Sequence, residues 1–220
     1  THFMLTQTQA EVMLTLQANM NAKVNPDWVN AGYPYLRAVV VEGAEAMEHH
    51  GWKWWKKQDC DLEQLQMELV DIWHFTLSHI LLEVNADQNL ATQLLLSQLD
   101  QNNTVNFDNK VYNIKELDLL SKVELKIGLA AARRINIPLF ESLLSDCKMD
   151  WKELFCQYVG KNVLNFFRQD HGYKDGTYDK HWDGREDNEH LVEVMTEIDS
   201  EHPEFQKMLY QSLKDRYAGK

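Results

Sequence analysis

Two short acidic motifs, Glu42-Gly43-Ala44-Glu45 and Glu68-Leu69-Val70-Asp71, carry the first sign of chemistry in the chain. Residues i and i+3 share a face of a helix, so each motif would set two carboxylates side by side. If the two helices are antiparallel neighbours, all four acids converge on one groove. The plain alternative is a pair of solvated helix faces, where most acids lie. The surroundings argue against it. Leu65, Met67, Leu69, Val70, Ile72, Trp73, Phe75 and Leu77 make the second helix apolar on nearly every side, and Val39-Val40-Val41 precede Glu42. Carboxylates crowded into such surroundings need protons, cationic partners or hard metal ions. Oxygen-only ligation favours Mg²⁺, with Mn²⁺ as a substitute, and Mg²⁺ commonly completes its shell with water and substrate phosphates. A di-iron bundle would need Glu-x-x-His on two helices, and only Asp71-x-x-His74 comes near it. Glu48, beside His49 and His50, is expected to be exposed.

A second candidate lies near the C-terminus. Residues 165–188 hold Arg168, Lys174, Lys180 and Arg185, with Tyr173, Tyr178, Trp182 and three glycines. Acids in the same stretch roughly cancel the charge, and an ordinary solvated loop is the competing reading. Next to an acidic metal groove, separated cations and amides are what a polyphosphate requires. A mobile loop there could close over a ligand.

Helices must position these groups. With 9 Gly and 4 Pro in 220 residues, and apolar residues at helical spacing, the expected fold is all-α. The elements would be a bundle core of antiparallel helices that carry the acids, plus a more mobile C-terminal helical region. Expected helices run from about 6 to 22, 35 to 50, 59 or 61 to 84, 88 to 99, 114 to 134, 139 to 145, 151 to 170, 186 to 199 and 204 to 217. Residues 100–113, rich in Asn and Asp, read as a loop that could hinge the halves. The chain is expected to form one domain over 1–220, with a possible subdivision into 1–99 and 114–220.

Composition limits the partners. Lys and Arg number 22 against 34 Asp and Glu, a net charge of −12, which repels a phosphate backbone, so nucleic-acid and anionic-membrane binding are not expected. Cys60, Cys147 and Cys156 form no C-x-x-C pair, which fits a reducing cytoplasm. No apolar run approaches a membrane span and no leader is recognisable; Thr1–Phe3 read as a foreign extension before a start at Met4.

In order along the chain stand Gln17-x-x-x-Asn21, Glu42-x-x-Glu45, Trp52-Lys-x-Trp-Lys56, Glu68-Leu-Val-Asp71-Ile-Trp-His-Phe75, Gly172-Tyr173-Lys-x-Gly-Thr-Tyr and Lys180-x-Trp-x-Gly-Arg185-Glu-Asp-Asn188. This series resembles the dimeric, all-α dUTPases, within the wider all-α nucleoside-triphosphate pyrophosphatases. The resemblance implies hydrolysis of dUTP, and of dUDP, to dUMP by a homodimer whose site borrows residues from the second subunit. Glu42, Glu45, Glu68 and Asp71 would then hold Mg²⁺, with Glu42 the base. Gln17 and Asn21 would read the uracil edge, Trp55 would stack on the base and Phe75 would crowd the sugar. Asn165, Arg168, Tyr173, Lys180, Arg185 and Asn188 would hold sugar and phosphates, with Lys161 and Lys174 as weaker candidates. The alternatives are a pyrophosphatase for another deoxynucleotide, such as dCTP, and a non-catalytic helical nucleotide-binding module.

Overall fold

The computed structural model describes residues 4–100 and 102–220. The proposed extension Thr1–Phe3 lies outside the described residues. Helix α1 (Gln7–Val24) opens with a capping box in which Thr6 Oγ1 accepts from the Gln9 amide and Gln9 Oε1 accepts from the Thr6 amide. A one-turn α2 (Trp28–Ala31) leads to α3 (Tyr35–His50). Helix α4 (Leu62–Glu83) is capped by Asp61, α5 (Gln88–Leu99) by Asp87, and α8 (Trp151–Asp170) by Asp150. Helix α6 (Leu119–Ala131), α7 (Ile137–Asp146), α9 (Asp187–Glu197) and α10 (Phe205–Ala218) complete the set.

The fold is all-α, as expected, and the departures are local. The stretch expected as a loop at 100–113 contains a hairpin, β1 (Thr104–Phe107) against β2 (Lys110–Asn113), in antiparallel register. Its two turn residues, Asp108 and Asn109, sit at φ +54° and +60°, the conformation that two-residue hairpin turns demand and that Asp and Asn accept. The helix expected over 114–134 is broken: a 3₁₀ turn covers Ile114–Glu116, and Asp118 caps α6 by accepting from the Ser121 amide at 2.8 Å. A second small hairpin, β3 (His181–Trp182) with β4 (Arg185–Glu186), interrupts the C-terminal loop.

The main apolar cluster runs from Leu5 to Leu213 and draws on both halves. Trp73 of α4 stacks on Phe140 at 4.9 Å, which ties the acid-bearing helix to α7. Helices α3 and α4 pack on each other, and the Asp61 amide donates to the His49 carbonyl where they meet. This hairpin of helices sets the two acidic motifs opposite one another. On its other side, α3 packs on α6 at Gly43, where an added Cβ would lie 2.6 Å from Ile127 Cγ1 and 3.1 Å from its Cδ1. Glycine in mid-helix costs about 1 kcal/mol relative to alanine, so its place here reflects the close approach. Gly43→Ala is expected to lose about 1–3 kcal/mol to overpacking, read by urea denaturation. In an Ile127→Ala background the same change should be neutral or stabilising.

Candidate active site

One cleft, of about 470 Å³, gathers side chains from α1, α3, α4 and α8, a size suited to a small ligand. Gln17, Met20, Asn21 and Val24 of α1 form one wall, with Tyr33 and Tyr35 beside them. Glu42 of α3 and Asp71, His74 and Phe75 of α4 form the floor, and Lys161, Asn165, Arg168 and Gln169 of α8 face them, with Tyr173 at the rim.

Glu42 and Asp71 of the lining and Glu68, which lies outside it, each offer a carboxylate oxygen, and these atoms lie within 4.8 Å of one another. Glu68 is buried; its Oε2 has no hydrogen-bond partner among the described residues, and its Oε1 lies 3.3 Å from His49 Nε2. Burial, a hydrogen bond with Glu42 and the charges of Glu42, Asp71 and Glu45 push the Glu68 carboxyl up to about 10. Burial also raises Glu42 and Asp71, the latter despite Lys161, whose Nζ lies 3.6 Å from Asp71 Oδ1. A convergent, oxygen-only set with an orphaned buried oxygen suits a hard divalent cation. Glu45 is exposed and its oxygens are outside the convergent set, yet its charge reaches all three members. Glu48 is exposed and accepts a hydrogen bond from Trp52 Nε1 at 2.8 Å.

The Glu68 shift fixes a sign for pH. The folded protein holds a proton on Glu68 that the unfolded chain releases near the ordinary value of 4.5. The associated stability is full at acid pH and is lost as pH climbs from about 4.5 toward about 10. Glu68→Gln keeps the shape without the proton. Wild type should therefore lose ground to Glu68→Gln as pH rises in EDTA, and added Mn²⁺ should restore it in wild type alone; urea denaturation across pH reads both.

Elsewhere a hydrogen-bonded chain fixes the orientation of each side chain. Ser78 Oγ donates to the His74 carbonyl at 3.0 Å, so it accepts from Asn21 Nδ2 at 3.0 Å. Asn21 Oδ1 then accepts from Gln17 Nε2 at 3.0 Å, which turns Gln17 Oε1 toward His74 Nδ1 and the Tyr158 hydroxyl, both at 2.8 Å. His74 must carry its proton on Nδ1. Burial, with the Lys161 charge, drops its pKa to about 3 and keeps it neutral, and its Nε2 is a buried acceptor with no partner among the described residues. One N–H on each of Gln17 and Asn21, the second Asn21 Oδ1 lone pair and His74 Nε2 are thus left unspent.

A cleft with clustered acids and a fixed amide pair suits a nucleotide that carries several phosphates. The family model for dUTPase matches residues 9–173, three quarters of the chain. The chain belongs to the dUTPase family. The all-α dUTPase fold is the one observed, and the activity is that of a dUTP diphosphatase. No curated protein matches the chain.

Placed in this dUTPase, the remaining candidates divide. Gln17, Asn21, Phe75, Asn165, Arg168 and Tyr173 line the cleft. Asn188 is not in the lining, but its Oδ1 accepts from Lys161 Nζ, which is, at 2.8 Å. Trp55 is 59% exposed, edge-on to Trp52 and Trp54, away from the cleft wall. Lys180 is exposed, and Arg185 turns away to Glu193 at 2.6 Å. Arg185, on β4, is held by its ion pair with Glu193 of α9, and Lys180 precedes β3. Sequence reasoning passed over His74 as a polar contact, Tyr158 and Asp187. The His74 spacing from Asp71 was visible, but its ring acts through Gln17, a partner 57 residues away in sequence.

Proposed function

We propose that this dUTPase hydrolyses dUTP and dUDP to dUMP with Mg²⁺, or Mn²⁺ in its place, held by Glu42, Glu68 and Asp71, with Glu45 joining from the rim. A bound divalent cation supplies charge neutralisation for phosphate oxygens and a more acidic water. The chain's own residues do the rest. Glu42, more basic than an ordinary carboxylate because it is buried among other acids, accepts the proton of the attacking water. Lys161 and Arg168 face the acids across the cleft and take up charge on the phosphates; Asn165 and Tyr173 hold the sugar and its first phosphate.

The carrying observation is that two acids of the cluster, Glu42 and Asp71, line one cleft with Gln17, Asn21 and His74. Uracil presents an N–H between two carbonyls, and so asks for a donor, an acceptor and a donor. Unspent N–H groups on Gln17 and Asn21, with acceptors at Asn21 Oδ1 and His74 Nε2, answer that pattern. Cytosine replaces one carbonyl by an amino group and the N–H by a bare nitrogen, which would set donor against donor and leave buried groups unpaired. Phe75 closes the sugar side against a 2′-hydroxyl. Turnover of dUTP, dUDP, dTTP, dCTP and UTP tests the reading; equal rates across the panel would refute it.

The protein is further proposed to act as a cytoplasmic homodimer. The family resemblance supports the dimer. Trp54 and Trp55, 87% and 59% exposed beside three lysines, form the kind of surface that a second copy covers, and closure over the cleft would carry Trp55 toward the base. Lys180 and Arg185 would reach phosphate only by a similar movement of the β3–β4 hairpin.

A further inference from the structure

Residues 174–220 lie beyond the span matched to the dUTPase family, yet they reach the cleft through one dipeptide. Asp187, the first residue of α9, has no exposed surface. Its Oδ2 accepts from Arg168 Nε at 2.8 Å and from the Tyr178 hydroxyl at 2.7 Å, and its Oδ1 accepts from Arg168 Nη2 at 2.9 Å. Burial opposes the charge, but the bonds and the Arg168 guanidinium hold the carboxyl below its ordinary range. The next residue, Asn188, holds Lys161. Lys161, Asn165 and Arg168 are spaced i, i+4 and i+7, on one face of α8, and all three line the cleft. The dipeptide Asp187-Asn188 therefore grips both ends of the cationic stripe.

The hairpin that delivers this dipeptide is itself anchored. The Asp187 amide donates to the Lys180 carbonyl at 2.9 Å. Trp182 is fully buried against Phe167 at 5.6 Å, and its ring nitrogen donates to the Asp179 carbonyl at 2.6 Å. With Nε and Nη2 spent on Asp187, Arg168 turns Nη1 toward Asn165 Oδ1 at 3.4 Å, on the cleft wall. A bidentate arginine pair fixes the guanidinium plane as no single bond can. An arginine freed from this grip has Asp71, whose ionisation it already favours, as a competing anion.

We propose that Asp187 is a positioning residue: it holds Arg168 ready for phosphate and keeps it from pairing with the metal-binding acids, while Asn188 holds Lys161, whose Nζ lies 3.6 Å from Asp71 Oδ1. The proposal rests on the reading of the cleft as a dUTP site with phosphates toward α8. Its test compares full-length wild type, Asp187→Asn, Tyr178→Phe and Arg168→Ala for binding of α,β-imido-dUTP and of deoxyuridine, which has no phosphate, in the presence of Mg²⁺. Asp187→Asn should weaken the imido analogue about tenfold and raise KM for dUTP in parallel, with deoxyuridine binding unchanged. Tyr178→Phe, which removes one bond and no charge, should move the same ratio by about two- to threefold and serves if Asp187→Asn fails to fold. Equal weakening of both ligands would mean a merely structural role and overturn the proposal. So would unchanged analogue binding in both Asp187→Asn and Tyr178→Phe while Arg168→Ala loses it. If wild type itself does not bind the analogue, the dUTP reading falls, and this proposal with it.

Discussion

Asp71→Asn is expected to lower dUMP formation about 10²–10³-fold while leaving the metal-free protein at least as stable as wild type. The two effects have one cause. Asp71 sits against Glu42 and Glu68, and burial raises its pKa in the folded protein even though Lys161 and Arg168 oppose the rise. Its charge is therefore a cost to the metal-free fold above the ordinary value of 3.8, and the neutral isostere removes that cost. On the proposed role the same charge draws a cation to the cluster, so the isostere should weaken binding of the ion that neutralises phosphate. Thermal melts in EDTA and initial rates with saturating Mg²⁺ measure the two sides. A drop in melting temperature together with the drop in rate would instead assign Asp71 a structural role.

Asn21→Ala carries the second large effect, a loss of about 10²–10⁴-fold in the preference for dUTP over dCTP. Asn21 is the hub of the polar chain: it takes a hydrogen bond from Gln17 and gives one to Ser78. Removing it deletes an acceptor and a donor from the proposed base edge and frees Gln17 Nε2, while Gln17 Oε1 stays held by His74 Nδ1 and the Tyr158 hydroxyl. If these groups read the base as proposed, the kcat/KM for dUTP should fall steeply while that for dCTP changes little. If both nucleotides lose rate equally, Asn21 supports the cleft without reading the base.

The acid pairs were legible because helical spacing and an apolar setting are local properties, and so was the start of α4 at Asp61, one of the two starts expected. Glu45 shows the limit of that logic. An i,i+3 pair shares a face only approximately, and on α3 the rotation from Glu42 to Glu45 carries the second acid to the solvent rim. The hairpin at 104–113 was hidden because its signal is two turn residues at positive φ between strands too short to show alternation. His74 and Asp187 were passed over because their roles depend on partners far away in the sequence, Gln17 and Arg168. Periodicity says nothing about such pairs. Arg185 illustrates the converse, a cation in a phosphate-like motif whose guanidinium is taken by Glu193 and whose neighbour Asp187 is the buried residue.

Stopped assays of dUTP hydrolysis, with EDTA and then with Mg²⁺ added back, test the proposed metal-binding role of Glu42, Glu68 and Asp71 most directly. Wild type should be silent in EDTA and recover fully with Mg²⁺, while Glu42→Gln and Asp71→Asn should stay near the EDTA level at Mg²⁺ concentrations that saturate wild type. Undiminished dUMP release by wild type in EDTA, or full recovery by either variant at those concentrations, would contradict the account.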